Sequence, residues 1–273
     1  MSAMRTGSAF GSRSFGIRAG GPRSGRDDGA MGDRDPWGEA TAASYDADDA
    51  EMFSPSVLGP TVDFLAHLAG GRRALEFAAG TGRVTLPLAA TGVDVAAIEL
   101  SEAMAARLRA KPGAERIELV VGDMATTRVP GEFGLVYLVY NTISNLLTQD
   151  EQVACFANAA AHLVPGGHFV IEVFVPQLRR LPPGERFVPF HVGDHHIGVD
   201  EYDVLTQRLV SHHAMPARPF ATSHHRWAFP AEYDLMARLA GLQLHGRWAD
   251  WSRSPFTADS ASHVSVWSRP ASA

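Results

Sequence analysis

Two residue types are almost missing from this chain of 273 residues: it has one cysteine, Cys155, and one lysine, Lys111. A lone cysteine excludes an internal disulfide and fits a reducing cytoplasm, the compartment expected here. With lysine so scarce, nearly all the positive charge is arginine, which we read as the composition bias of an Ala- and Arg-rich proteome. A basic excess is missing too. The net charge of −6 argues against a nucleic-acid partner, whose binding is led by phosphate neutralisation. No run of about 18 apolar residues occurs, so no membrane span is expected. The N-terminal stretch shows no continuous apolar core of the secretory-signal kind.

What is present suffices for a large core. At 45% hydrophobic, the chain can bury one large α/β domain, or a domain with a small insertion. Residues 1–36 form a separate zone rich in Gly, Ser and Arg, with six arginines and four aspartates, leaving −8 on the remainder. Too few apolar residues lie there to build a core, so a disordered leader is expected, with an RNA- or partner-binding arm as the rival reading.

From Pro36 onward the pattern alternates. "VLGPTVDFLAHLAG" (57–70) has helical spacing; "RALEFA" is a short apolar strand, and "RVTLPLAATG" is a helix closed by Gly92. "DVAAIEL" gives a second strand, and Ser101 caps the helix "EAMAARLRAK". "RIELVV" and "FGLVYLVY" read as two further buried strands. Asp150 is expected to open the next helix, with Val153, Phe156, Ala160 and Leu163 on its apolar face. "PGGHFVIEVF" turns into a fifth strand. Strands alternating with helices imply a parallel, doubly wound sheet with right-handed crossovers. Ligands of such sheets sit beyond the carboxyl ends of the strands, at the switch in strand order. Residues 187–229 change to short alternating runs that read as antiparallel strands, long enough to roof that rim. The helix "PAEYDLMARLAGL" and a closing antiparallel pair, "LQLHGRWADW" with "SHVSVWSR", complete the chain.

The stretch "LEFAAGTGRVTLPLAATG" (75–92) joins a strand to a helix through a small-residue turn. It lacks the G-x-G-x-x-G of a dinucleotide site: its glycines are Gly80 and Gly82, the third position is Thr85, and the turn begins at Ala78. Glu76 precedes the turn. A carboxylate there would repel a pyrophosphate but would partner an ammonium. Glu99 ends the next strand, where it can accept both ribose hydroxyls. Asp123 ends the third, where it can accept from an adenine amino group, with Met124 lining the ring. An acid at a strand end usually just faces solvent. Three on consecutive strands, each matched to one part of the ligand, point to S-adenosylmethionine.

The motifs "EFAAGTGR", "IELSEAM", "VVGDM" and "LVPGGHFVIE" resemble those of class I S-adenosylmethionine-dependent methyltransferases. The likeness spans roughly 45–269 and is nearest to small-molecule N-methyltransferases of antibiotic pathways, including amino-sugar enzymes. It implies a Rossmann-like, seven-stranded methyltransferase sheet over 37–273, with an antiparallel insertion at about 183–229. By resemblance, Glu76 takes the methionine amine, Ala78, Gly80 and Gly82 form the cofactor turn, and Glu99 takes the ribose. Leu100 and Met104 follow from the "ELSE-M" motif, Asp123 and Met124 take the adenine, and Tyr45 folds over the cofactor.

The loop after the fourth strand departs from the sugar-amine enzymes. They tend to carry a histidine where this chain has Asn145, and asparagine cannot take a proton at neutral pH. Attack of an amine lone pair on a sulfonium methyl can proceed by alignment, with bulk water taking the proton. Tyr140, Asn141 and Asn145 are therefore the acceptor-positioning candidates, with Tyr140 also placed at the cofactor. Seven of the twelve histidines lie between 191 and 225. Members of a His-His pair on a strand point to opposite faces, and no acid or cysteine at metal-ligand spacing joins them. Polar strand faces are the reading, with one histidine a candidate for the acceptor pocket and no metal expected. Trp248 and Trp251 read as core or roof packing. The expected activity is methyl transfer to a small-molecule amine, with O-methylation and an RNA or protein acceptor as rivals. Neither a membrane nor a nucleic acid is expected as a partner, and a homo-oligomer is left open.

Overall fold

The computed structural model describes residues 37–48, 50–216 and 219–271; the expected leader, 1–36, lies outside them. Helix α1 (Glu39–Asp48) precedes α2 (Pro55–Ala69). Proline at the first turn of α2 suits its fixed φ, and Gly70, at φ 57°, closes the helix in a left-handed conformation. Strand β1 (Ala74–Phe77) follows, then α3 (Thr85–Ala90), β2 (Val95–Glu99), α4 (Glu102–Arg109) and β3 (Glu118–Val121). As expected, Ser101 caps α4 by accepting from the Met104 amide. After β3 come β4 (Phe133–Leu138), α5 (Gln149–His162) and β5 (Leu163–Phe174).

Two expectations need correction here. Strand β3 is half-exposed, because it ends the sheet and only β2 flanks it. Its apolar residues resemble those of a central strand, but strand order, which local sequence does not encode, puts it at the edge. Helix α5 is capped by Thr148 in a reciprocal capping box with Glu151, two residues ahead of the expected Asp150. Its buried face is Gln152, Cys155, Phe156, Asn158, Ala159 and His162, so the helix is rotated from the Val153–Ala160 stripe. Phe156 packs edge-on against Phe169 and Trp267, at ring separations of 5.0 and 5.2 Å.

Helix α6 (Pro230–Leu239), β10 (Gln243–Trp248) and β11 (Ser262–Ser268) close the main sheet. Its order is β10-β11-β5-β4-β1-β2-β3, with β11 antiparallel between β5 and β10, as the seven-stranded methyltransferase reading requires. The chain moves outward from β1 to β3, then returns to place β4 on β1's other side. The switch point therefore lies at the carboxyl ends of β1 and β4. Strand β4, buried throughout, shows the continuous apolar run of a parallel central strand.

The inserted strands β6 (Phe187–Gly193), β7 (His196–Asp203), β8 (Arg208–Ala214) and β9 (Ala221–Arg226) form a separate antiparallel sheet. On one face, Val188, Tyr202 and Leu209 join Trp227 against Phe174, Leu178 and Leu181. Because Phe174 is the last residue of β5, the insertion sits at the carboxyl end of the main sheet. Among the described residues no helix is long and apolar enough to cross a membrane.

Candidate functional site

The turn after β1 is built on backbone that most residues avoid. Ala78 has φ 54°, Gly80 φ 57° and Gly82 φ 86°. A side chain at Gly80 would meet open space, so its left-handed φ and its place on the cavity wall explain the glycine. Gly82 answers a different need: a Cβ there would come within 2.9 Å of Leu108 Cγ, so glycine lets the turn close on α4. Lys111 fastens the turn from outside, donating to the Thr81 carbonyl at 2.7 Å and pairing with Asp46 at 2.5 Å.

Beneath the turn lies Glu76, only 2% exposed. Its carboxylate accepts from the Thr85 hydroxyl and, at 2.9 Å, from the Tyr137 hydroxyl. Burial pushes its pKa up to about 7, against the two hydrogen bonds and the nearby Arg83 charge, which favour the ionised form. Tyr137 is raised well above its ordinary value by the same burial and by the Glu76 charge.

Glu99 is held from both sides. One oxygen accepts from the Gly80 amide at 2.7 Å and the other from the Ser101 amide at 2.8 Å, fixing the carboxylate plane at the end of β2. At the end of β3, Asp123 accepts from the Ala125 amide at 2.7 Å. These groups share one cavity of about 320 Å³. It gathers Tyr45, Ala78, Gly80, Glu99, Leu100, Met104, Asp123, Met124 and Asn145 from the residues expected by sequence. It does not gather Glu76, Gly82, Tyr140 or Asn141, none of which lines its wall.

Tyr140 and Asn141 instead shape the turn after β4. Both are left-handed, at φ 58° and 61°, a costly arrangement for two successive non-glycine residues. Neighbouring groups stabilise it: the Tyr140 amide donates to the Glu172 carboxylate at 2.8 Å, and Asn141 Oδ1 accepts from the Phe174 amide at 2.7 Å. Trp251 holds the other Glu172 oxygen at 2.8 Å, in addition to packing on Phe64 as expected. The turn delivers Thr142, Asn145 and Leu146 to the cavity wall.

Trp37, Gly122, Thr142, Leu146 and Glu151 also line the cavity. Trp37 follows the Gly- and Arg-rich zone and carries no local signal; it packs edge-on to Tyr45 at 6.3 Å, and its carbonyl accepts from Ser101. Gly122 had a signal in the "GD" pair, since a Cβ there would collide with Thr127. The histidine pairs divide between faces as strand geometry requires: His212 meets Glu201 at 3.1 Å, while His213 meets His196 at 3.0 Å on the other face.

The fit to S-adenosylmethionine rests on this wall. Among the described residues it holds three carboxylates, Glu99, Asp123 and Glu151, and no lysine or arginine, so a pyrophosphate would meet like charge there. Methionine and leucine side chains supply apolar surface between the acids, suited to an adenine ring. The volume lies within the usual range for small-molecule sites, roughly 300–1,000 Å³.

Comparison with known proteins agrees. A family described as "Methyltransferase domain" matches residues 74–167. A cypemycin N-terminal methyltransferase from Streptomyces sp is 28% identical over 250 residues, covering 88% of this chain and all of that protein. The structure of the CcbJ methyltransferase from Streptomyces caelestis superposes with a TM-score of 0.75 at 36% identity, covering 86% of this chain and 98% of that one. SAM-bound CalS10, an amino pentose methyltransferase from Micromonospora echinaspora, shares the fold at 22% identity, with a TM-score of 0.62 over 84% of this chain and 96% of its own. With this turn, this sheet order and these relatives, the chain belongs to the S-adenosylmethionine-dependent methyltransferases.

Proposed function

We propose that this enzyme methylates an amine nitrogen of a small molecule, with Asn145 positioning the acceptor and no protein base taking its proton. The observation that carries this reading is the cavity wall, where, among the described residues, the strained loop after β4 presents an amide side chain and no imidazole. The cypemycin relative, an N-terminal methyltransferase, supports an amine acceptor.

When bound, S-adenosylmethionine supplies an electrophilic methyl group on a sulfonium. Glu99 would accept from the ribose hydroxyls, its carboxylate already oriented by the Gly80 and Ser101 amides. Asp123 would accept from the adenine amino group, with Met104 and Met124 against the ring. Glu76 would act from below the turn, its ionised form favoured by a nearby ammonium. Tyr45 would close over the cofactor. Tyr140 and Asn141 contribute through the loop they shape. Asn145 can accept an amine N–H through Oδ1, leaving the nitrogen lone pair to be aimed. An amine with pKa near 9 or 10 must lose a proton before it attacks, and solvent suffices to take it.

The test is a screen of amine, phenol and alcohol acceptors, with RNA and protein samples alongside, using S-adenosylmethionine carrying a ¹³C-labelled methyl and read by NMR. The label is expected in an N-methyl resonance. Label found only in O-methyl products would replace this reading with oxygen methylation, and label in RNA or protein alone would remove the small-molecule acceptor.

A further inference from the structure

The Ser144 hydroxyl, buried in the loop that carries Asn145, has one proton and two partners. It donates to the Asn141 carbonyl at 2.6 Å. Its other contact is His225 Nδ1, at 3.2 Å, on strand β9 of the inserted sheet. Because the hydroxyl proton is committed to Asn141, His225 must be the donor at this contact, which places the imidazole proton on Nδ1. Nε2 then carries a lone pair, and it lies 2.9 Å from the Ser223 hydroxyl, which can donate to it. Both ring nitrogens are satisfied by a neutral imidazole in a single tautomer.

A doubly protonated ring would point a second N–H at Ser223 and bring a charge into a half-buried site. Burial disfavours that charge, with His224 beside it and His213 on β8 adding to the effect, and His225 is pushed down to about 4. From the loop side, residues 141–146 bring no titratable group to oppose this.

We propose that His225 is a positioning residue: as the neutral Nδ1–H tautomer it donates to Ser144 and fixes the Asn145 loop against the inserted sheet. The proposal rests on the reading of that loop as the acceptor-positioning element. It gives the insertion a mechanical part in transfer, since the sheet that roofs the rim also sets the loop. A second anchor ties the same loop to β9: the two amide protons of buried Gln152 are shared among the Ile143, Leu146 and Arg226 carbonyls, at 3.1, 3.2 and 3.1 Å. Loss of the His225 contact should therefore loosen the loop locally and leave the fold intact.

The test needs no acceptor. In the full chain labelled with ¹⁵N-histidine, two-bond correlations for His225 should show the neutral Nδ1–H pattern from pH 8 down to 5.5. An Nε2–H pattern, or titration with a midpoint near 6.5, would overturn the proposal. Amide exchange at Ser144 and Leu146 should then speed by about tenfold or more in His225→Phe and in Ser144→Ala. His225→Asn, whose amide nitrogen falls near the Nδ1 position, should restore slow exchange, and S-adenosylmethionine affinity measured by calorimetry should fall and recover in parallel. Unchanged exchange and affinity in both His225→Phe and Ser144→Ala would refute the positioning role. If the wild-type chain fails to bind S-adenosylmethionine, the functional reading falls while the tautomer and exchange results still decide this one.

Discussion

Thr85, on the first turn of α3, donates its hydroxyl proton to the carboxylate of Glu76, nine residues earlier and 2% exposed beneath the glycine-containing turn. Together with Tyr137, it stabilises a negative charge that burial opposes, and the balance leaves Glu76 near neutrality with a pKa of about 7. That balance makes the ligand-free protein and its cofactor affinity depend on pH in opposite directions.

For the ligand-free fold, the folded pKa of Glu76 lies above its unfolded value of 4.5, so the folded state holds the proton more tightly. Its contribution is fully present below about pH 4.5 and is lost as pH rises to about 7, amounting to ~3 kcal/mol in all. Glu76→Gln should remove this slope in urea melts across that range. Cofactor binding should run the other way: an ammonium favours the ionised carboxylate, so affinity should rise with pH through 7 with release of a proton. Calorimetry in buffers of different ionisation enthalpy checks the release, and an affinity that does not vary with pH would contradict it.

Glu99→Ala and Asp123→Ala should each weaken S-adenosylmethionine binding by about 1–3 kcal/mol, the cost of leaving buried donors unpaired. The Glu99 change should also loosen the turn, because the Gly80 amide loses its acceptor. Titration calorimetry on both variants decides the ribose and adenine roles; unchanged affinity in both would remove them.

The two ends of the turn should respond oppositely to a methyl group. Gly82→Ala forces a Cβ into Leu108 at a left-handed φ and should cost roughly 1–3 kcal/mol of stability. Ala78→Gly relieves the strain of φ 54° and should leave the melting temperature equal or higher. Thermal melts of the two variants are sufficient, and a stabilised Gly82→Ala would show the packing argument to be mistaken.

Asn145→Ala should lower turnover about 10- to 100-fold through misalignment of the acceptor. Asn145→His should be tolerated and should leave the pH profile under the control of the acceptor. A single-turnover assay separates this from a binding defect: the step should slow at saturating acceptor, and a change confined to KM would contradict it.

Much of this architecture was legible because local pattern and tertiary role coincide. The run "FGLVYL" is buried on both faces, Ser101 caps α4, and the acids at 99 and 123 fall at strand ends that share one cavity. What was hidden depends on long-range partners. The pairing of Tyr137 with Glu76 spans 61 residues, and that of His225 with Ser144 spans 81. The exposure of β3 follows from strand order alone. Tyr140 and Asn141 gave no sign of their left-handed backbone, since Glu172, Phe174 and Trp251 hold it from other strands and loops.

The claim that an amine is methylated without a protein base is tested most directly by pH–rate profiles for two amine acceptors that differ in pKa. With both at saturating S-adenosylmethionine, the rate is expected to rise with pH until each free amine dominates, so that the two midpoints differ as the acceptor pKa values do. An inflection near 6.5 shared by both acceptors, and abolished by substitution of one histidine between 191 and 225, would contradict the account and identify that histidine as the base.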